Sequence, residues 1–222
     1  MTTAIGAWLL CRWRPGLPIL GSGTKSMVKF ALNIYGNFCL TYFRKNFDRV
    51  LIGRFLGSHP LGHYDRAHQL SSMLPNQLTI PLSDVALATL SRLANDPEKY
   101  RTYLSMVFSG LAFFVFPVSM ILSIIGKDII YLLLGPKWLQ AGDIFSILGL
   151  GIGMIVLYNT HGWIHLSLGR ADRWFRWSII ALATTVIFFL IGLPFGLFGL
   201  ASASTISFYV LTLPAIWYAG KP

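Results

Sequence analysis

The stretch YGNFCLTYFRKNFDRVLIGRFLGSHPLG, from Tyr35 to Gly62, places Arg44, Lys45, Asp48, Arg49 and Arg54 in a run otherwise apolar enough to lie in a membrane. An ionisable group at membrane depth costs about 3 kcal/mol on insertion scales, so it faces a bundle interior or a water-filled cavity. Four of these five groups are cationic, and a surface lined by them attracts an anion. The stretch therefore points to a transport protein with a basic inner surface.

Composition agrees with lipid as the solvent. A soluble domain carries about 25% charged residues, whereas this chain carries 12% and is 55% hydrophobic, with a mean hydropathy of +0.62. One crossing takes about 20 apolar residues, so the length allows about six crossings joined by short loops. The formal charge of +10 does not indicate nucleic acid, because no polar domain is available to present a basic face. Cys11 and Cys39 lack ligand-like spacing, and Cys39 reads as a small buried hydrophobe. Neither a disulfide nor a metal is implied.

The expected fold is an all-α integral membrane bundle with helices near 27–56, 61–93, 99–125, 139–168, 174–193 and 197–218. Residues 1–25 read as a cytoplasmic linker after the tail of a preceding helix. Their apolar run precedes Arg12 and Arg14, the reverse of a signal peptide. Ser58-His59-Pro60 is expected to end the first helix. Pro75 and Pro81 are expected to kink or locally break the second. Asp84, just beyond that kink, is a candidate ion-coupling residue, with a polar end of helix two as the plainer alternative. Asn95-Asp96-Pro97-Glu98 starts the third helix. Residues 126–138 read as a short interfacial piece with Trp138 at headgroup level. Gly149, Gly151 and Gly153, and the small residues from Gly199 to Ser204, read as close-packing faces.

With the N-terminus inside, the cytoplasmic segments hold Lys25, Lys29, Arg92, Lys99, Arg101, Arg170, Arg173, Arg176 and Lys221 besides Arg12 and Arg14. The outer loops hold only Lys127 and Lys137. Basic residues favour cytoplasmic loops, so both ends are expected inside.

Arg44 and Asp48 stand four apart and are expected to pair on one helical face. Lys45 and Arg49 have the same spacing but like charge, so their face calls for an outside anion. The plainer alternative is that helix one protrudes and its charges snorkel to the interface. Asp65 and Arg66 are expected to pair with Arg54 or to face water. His161 and His165 lack the glutamate and third ligand of the zinc-protease pattern. The Gly149–Gly153 run follows no strand, so it is packing and not a nucleotide loop. No serine, cysteine or histidine shows the partners of a nucleophilic site, and the outer loops are short. The reading is a non-enzyme without cofactor.

The run Asn33 to Leu70, especially YFRKNFDRVLIGRFLG followed by LGHYDRA, resembles the polysaccharide-transporter flippases of the multidrug/oligosaccharidyl-lipid/polysaccharide exporter superfamily. The likeness continues in Ala88-Thr-Leu-Ser-Arg-Leu, Leu134-Gly-Pro-Lys-Trp and Ser167-Leu-Gly-Arg-Ala-Asp-Arg. It implies a V-shaped transporter of two six-helix lobes around a cationic cavity, of which this chain matches the second lobe. It implies flipping of undecaprenyl-pyrophosphate-linked oligosaccharides across a bacterial inner membrane for lipopolysaccharide, capsule or exopolysaccharide assembly. Arg44, Lys45, Arg49 and Arg54 would bind the diphosphate, with Arg44 and Arg49 holding it and Lys45 adding positive charge, and Asp48 would orient Arg44. The partners implied are that lipid-linked glycan, membrane lipid, the first lobe and polysaccharide-assembly proteins, with no nucleic acid. Two other readings stand beside it. One is a multidrug exporter, which should line its cavity with acids and aromatics. The other is a non-transporting remnant or assembly partner.

Overall fold

The computed structural model describes residues 24–220, and helices account for nearly all of them. They are α1 (Thr24–Leu51), α2 (Ser58–Leu93), α3 (Pro97–Leu134), α4 (Leu139–Ser167), α5 (Ala171–Gly192) and α6 (Gly196–Gly220). No strand occurs among the described residues. Except for its last two residues, the expected linker over 1–25 lies outside them, as do Arg12, Arg14 and Lys221.

The protein is an all-α membrane protein. Three stretches among the described residues are long and apolar enough to cross a bilayer: Pro97–Leu134, Pro136–Ser167 and Ala171–Gly220. The last folds back at the 3₁₀ turn Leu193–Phe195, which splits it into α5 and α6. Despite their 28 and 36 residues, α1 and α2 are not among these stretches.

Helix α4 is the hub. It packs against α2, α3 and α6, while α1 lies along α5 and α5 along α6. In its most apolar window 61% of residues are buried, against 11% in α3 and 22% in the α5–α6 hairpin. So α4 is the core helix, and the others turn apolar faces outward to lipid. Lipid tails are as apolar as leucine, so close packing and hydrogen bonds must hold such helices together. The glycines of α4 supply the first. A Cβ at Gly149 would stand 3.1 Å from the backbone nitrogen of Ser123, and one at Gly153 would meet the Phe116 ring at 2.8 Å. Hydroxyls supply the second. Ser119 donates to the Gly149 carbonyl at 2.5 Å, Ser123 to the Ser146 carbonyl at 2.8 Å, and the Trp163 indole N–H to Ser83 at 2.8 Å.

Three features differ from expectation. The first helical stretch ends at Leu56 as expected, but Gly57 and not Ser58-His59-Pro60 makes the break. A π-helical turn, Ile52–Leu56, leads to Gly57 at φ 97°, and Pro60 lies in the first turn of α2. Only glycine takes that backbone angle freely, and a first-turn proline gives up no intrahelical bond. Pro75 and Pro81 do not interrupt α2, which is helical throughout Ser58–Leu93. Buried Ser71, Pro75, Ala86 and Leu90 hold it in the bundle on both sides of the missing bonds. The separate piece expected over 126–138 is mostly the end of α3, and only Pro136–Trp138 forms a 3₁₀ turn. Gly126 is no breaker. A Cβ there would meet the Phe145 ring at 2.7 Å, and Lys127 pairs with Asp143 at 2.8 Å. Asp96 caps α3 by accepting the Lys99 N–H, and its bonds from the Lys99 side chain and backbone lower its pKa.

Candidate functional site

Beyond the Gly57 turn, α1 and α2 have little direct contact, and a cleft of about 240 Å³ opens between them. Lys45, Asn46 and Arg49 enter it from α1, and His68, Ser71 and Asn76 from α2. Helix α4 adds Asn159, and α6 adds Ser204, Thr205 and Phe208. Helical periodicity explains the two walls. Asn46 and Arg49 are three apart on α1, and Asp65 and His68 are three apart on α2, so each pair shares a face.

Arg49 is the best-anchored cation. Its Nε donates to Asp65 Oδ1 at 2.5 Å and its Nη1 to Asn46 Oδ1 at 2.7 Å, while Nη2 lies 3.2 Å from His68 Nδ1. The guanidinium fork, built for carboxylates and phosphates, already holds a carboxylate. With side chains 33% and 44% exposed, the Arg49–Asp65 pair is open to water, so an incoming anion can compete for the arginine. Lys45 is exposed at the same cleft.

Asp48 is buried and does not pair with Arg44. It accepts the Tyr64 hydroxyl at 2.7 Å and the Arg49 backbone N–H at 2.8 Å. Arg44 turns instead toward α4 and α6, its guanidinium carbon 5.1 Å from the Tyr158 ring centre and 5.2 Å from that of Phe208. It therefore does not line the cleft that holds Arg49. Arg54, on the π turn, is exposed and outside the cleft, and so is Asp84 on α2. Neither makes an ion pair among the described residues. Asp65 pairs with Arg49 and not with Arg54, and Arg66 stacks on Trp138 at 5.9 Å. Of the five residues singled out around the anion, Lys45 and Arg49 share one cleft, with Asp48 directly behind.

Sequence reasoning missed Asp65 as Arg49's partner, and it missed His68, Asn46 and Asn159. The three-residue spacings across α1 and α2 held a signal for the first three. Nothing local pointed to Asn159. His161 and His165 are buried in α4, and the His161 Nδ1–H donates to the Tyr158 carbonyl. Among the described residues no group of three histidine, cysteine or acidic side chains could hold a metal.

A family model described as "Polysaccharide biosynthesis protein" matches residues 1–143. The teichuronic acid biosynthesis protein TuaB of Bacillus subtilis is 28% identical over 75% of this chain and 35% of its own length. The lipopolysaccharide biosynthesis protein WzxC of Escherichia coli is 21% identical over 75% of this chain and 34% of its own. The succinoglycan biosynthesis transport protein ExoT of Rhizobium meliloti is 22% identical over 81% and 37%. The chain thus spans about a third of the length of the curated relatives it matches. No solved structure matches it.

Proposed function

Because this chain belongs to the polysaccharide biosynthesis protein family, we propose that it takes part in moving a lipid-linked oligosaccharide across the bacterial inner membrane, as a transporter and not an enzyme. The basic cleft between α1 and α2 receives the diphosphate that joins glycan to carrier lipid. Arg49 grips it through paired donors, and Lys45 adds charge at the mouth. Asp48, fixed by Tyr64 and by the Arg49 N–H, holds that turn of α1 in place. Arg44 and Arg54 take no direct part. The helices cross the membrane six times with both ends cytoplasmic, as the loop charges suggest, and a second lobe facing the cleft is the proposed partner.

The observation that carries this reading is the state of Arg49. Its fork is preformed, and it is occupied by an internal carboxylate that an anionic ligand can replace. Charge-assisted bonds of this kind are worth about 1.5–3 kcal/mol each. In the gene product that carries this chain, Arg49→Ala should abolish glycan export in a strain lacking its transporter, while the protein stays in the membrane. Arg49→Lys keeps the charge but loses the paired geometry, so it should retain part of the activity. Normal export by the alanine variant would show that the cleft does not handle the substrate.

A further inference from the structure

Arg44 is only 7% exposed, yet no hydrogen bond or ion pair among the described residues engages it. Tyr158 and Phe208 lie within cation–π range of its guanidinium. Such contacts attract the cation through the ring faces and leave its N–H groups unengaged. A guanidinium has five donors and accepts nothing. The nearest acid along α1, Asp48, is occupied by Tyr64 and the Arg49 N–H.

A pocket of about 80 Å³, separate from the cleft, adjoins Arg44. Asn37, Thr41, Lys45, Asn159 and Ser178 also line it, and no lining residue is acidic. The Ser178 hydroxyl donates to Asn37 Oδ1, which leaves the Asn37 amide N–H₂ free to donate elsewhere. A buried cation therefore faces a small chamber whose walls add further donors. A cavity needs only about 10–15 Å³ of such volume to hold one water, so the chamber has ample room for a monatomic anion.

We propose that this pocket binds a small monovalent inorganic anion of halide size, held by Arg44 with help from Asn37 and Lys45. The anion neutralises Arg44 inside the bundle. Since Lys45 and Asn159 line both pockets, its presence also lowers the positive potential in the cleft. The site stands whether or not the cleft binds a diphosphate.

The test is thermal unfolding of the detergent-purified chain, titrated with sodium chloride and, at matched ionic strength, with sodium gluconate. Chloride should raise the Tm saturably and gluconate should not. Arg44→Gln should remove the chloride-specific rise, Asn37→Ala should weaken the apparent affinity about tenfold, and Arg54→Gln should change neither. In crystals soaked with sodium bromide, an anomalous peak should lie beside the Arg44 guanidinium, which decides the matter even if Arg44→Gln does not fold. Superimposable chloride and gluconate series for the wild type would overturn the proposal. So would a chloride response that survives Arg44→Gln, or a pocket that shows only water in the bromide data.

Discussion

Helices α1 and α2 differ from α3–α6 in what holds their buried faces. In α3–α6 those faces are glycine against backbone, with serine and threonine hydroxyls returned to carbonyls. In α1 and α2 the inward groups include Asp48, Arg49, Tyr64, Asp65 and His68, joined by polar and charged contacts between the two helices. The first arrangement tolerates lipid on its outer side. The second does not meet the requirements of a lipid crossing by composition, and it gains from α4 and α6 the walls that let it keep charges inside. The apolar helices thus make the scaffold, and the polar pair carries most of the candidate site's charge.

If the scaffold depends on close approach, the largest effect should come from filling a glycine contact. A Cβ at Gly192 would stand 2.6 Å from the Gly199 carbonyl oxygen, and backbone cannot swing aside as a side chain can. Gly192→Leu should therefore cost more than the usual overpacking penalty of about 1–3 kcal/mol and leave little folded protein in a detergent melt. An unchanged Tm would mean that α5 and α6 do not pack through this face.

This part of the scaffold was legible in sequence, since small residues at Gly149, Gly153 and Gly199 mark close approach wherever they sit in apolar helices. The breaks were less legible. Pro60 and Gly126 look like breakers in isolation, but their effect depends on position in the helix and on the facing partner, which local sequence does not encode. The site was half legible for the same reason. Spacing along α1 put Arg44 beside Asp48, and only the packing of Tyr64, Tyr158 and Phe208 decided that each would turn to a different neighbour.

In the polar pair, a smaller loss should follow from Tyr64→Phe. Tyr64 is fully buried, and among the described residues its hydroxyl is the one side-chain group that bonds Asp48. Removing it leaves a buried carboxylate short of a donor, at about 1–3 kcal/mol. The melt should show that loss. A neutral result would mean that water replaces the hydroxyl and that Asp48 is less enclosed than its contacts indicate.

The smallest change in stability should come from Asp65→Asn, because a partly exposed pair contributes about 0–1 kcal/mol. The same substitution should sharpen the site, since it removes the carboxylate that competes with an incoming anion for Arg49. Inorganic pyrophosphate should bind Asp65→Asn more tightly than wild type by titration calorimetry. Weaker binding would make Asp65 a part of the receptor and not its placeholder.

The proposed main contact of the diphosphate on α1 is Arg49, with Arg54 taking no part. Pyrophosphate titrated into the purified protein should lose at least about tenfold in affinity with Arg49→Ala, the equivalent of a single charge-assisted bond. Arg54→Ala should bind as wild type does. Equal losses in the two variants, or undiminished binding by Arg49→Ala, would contradict the account.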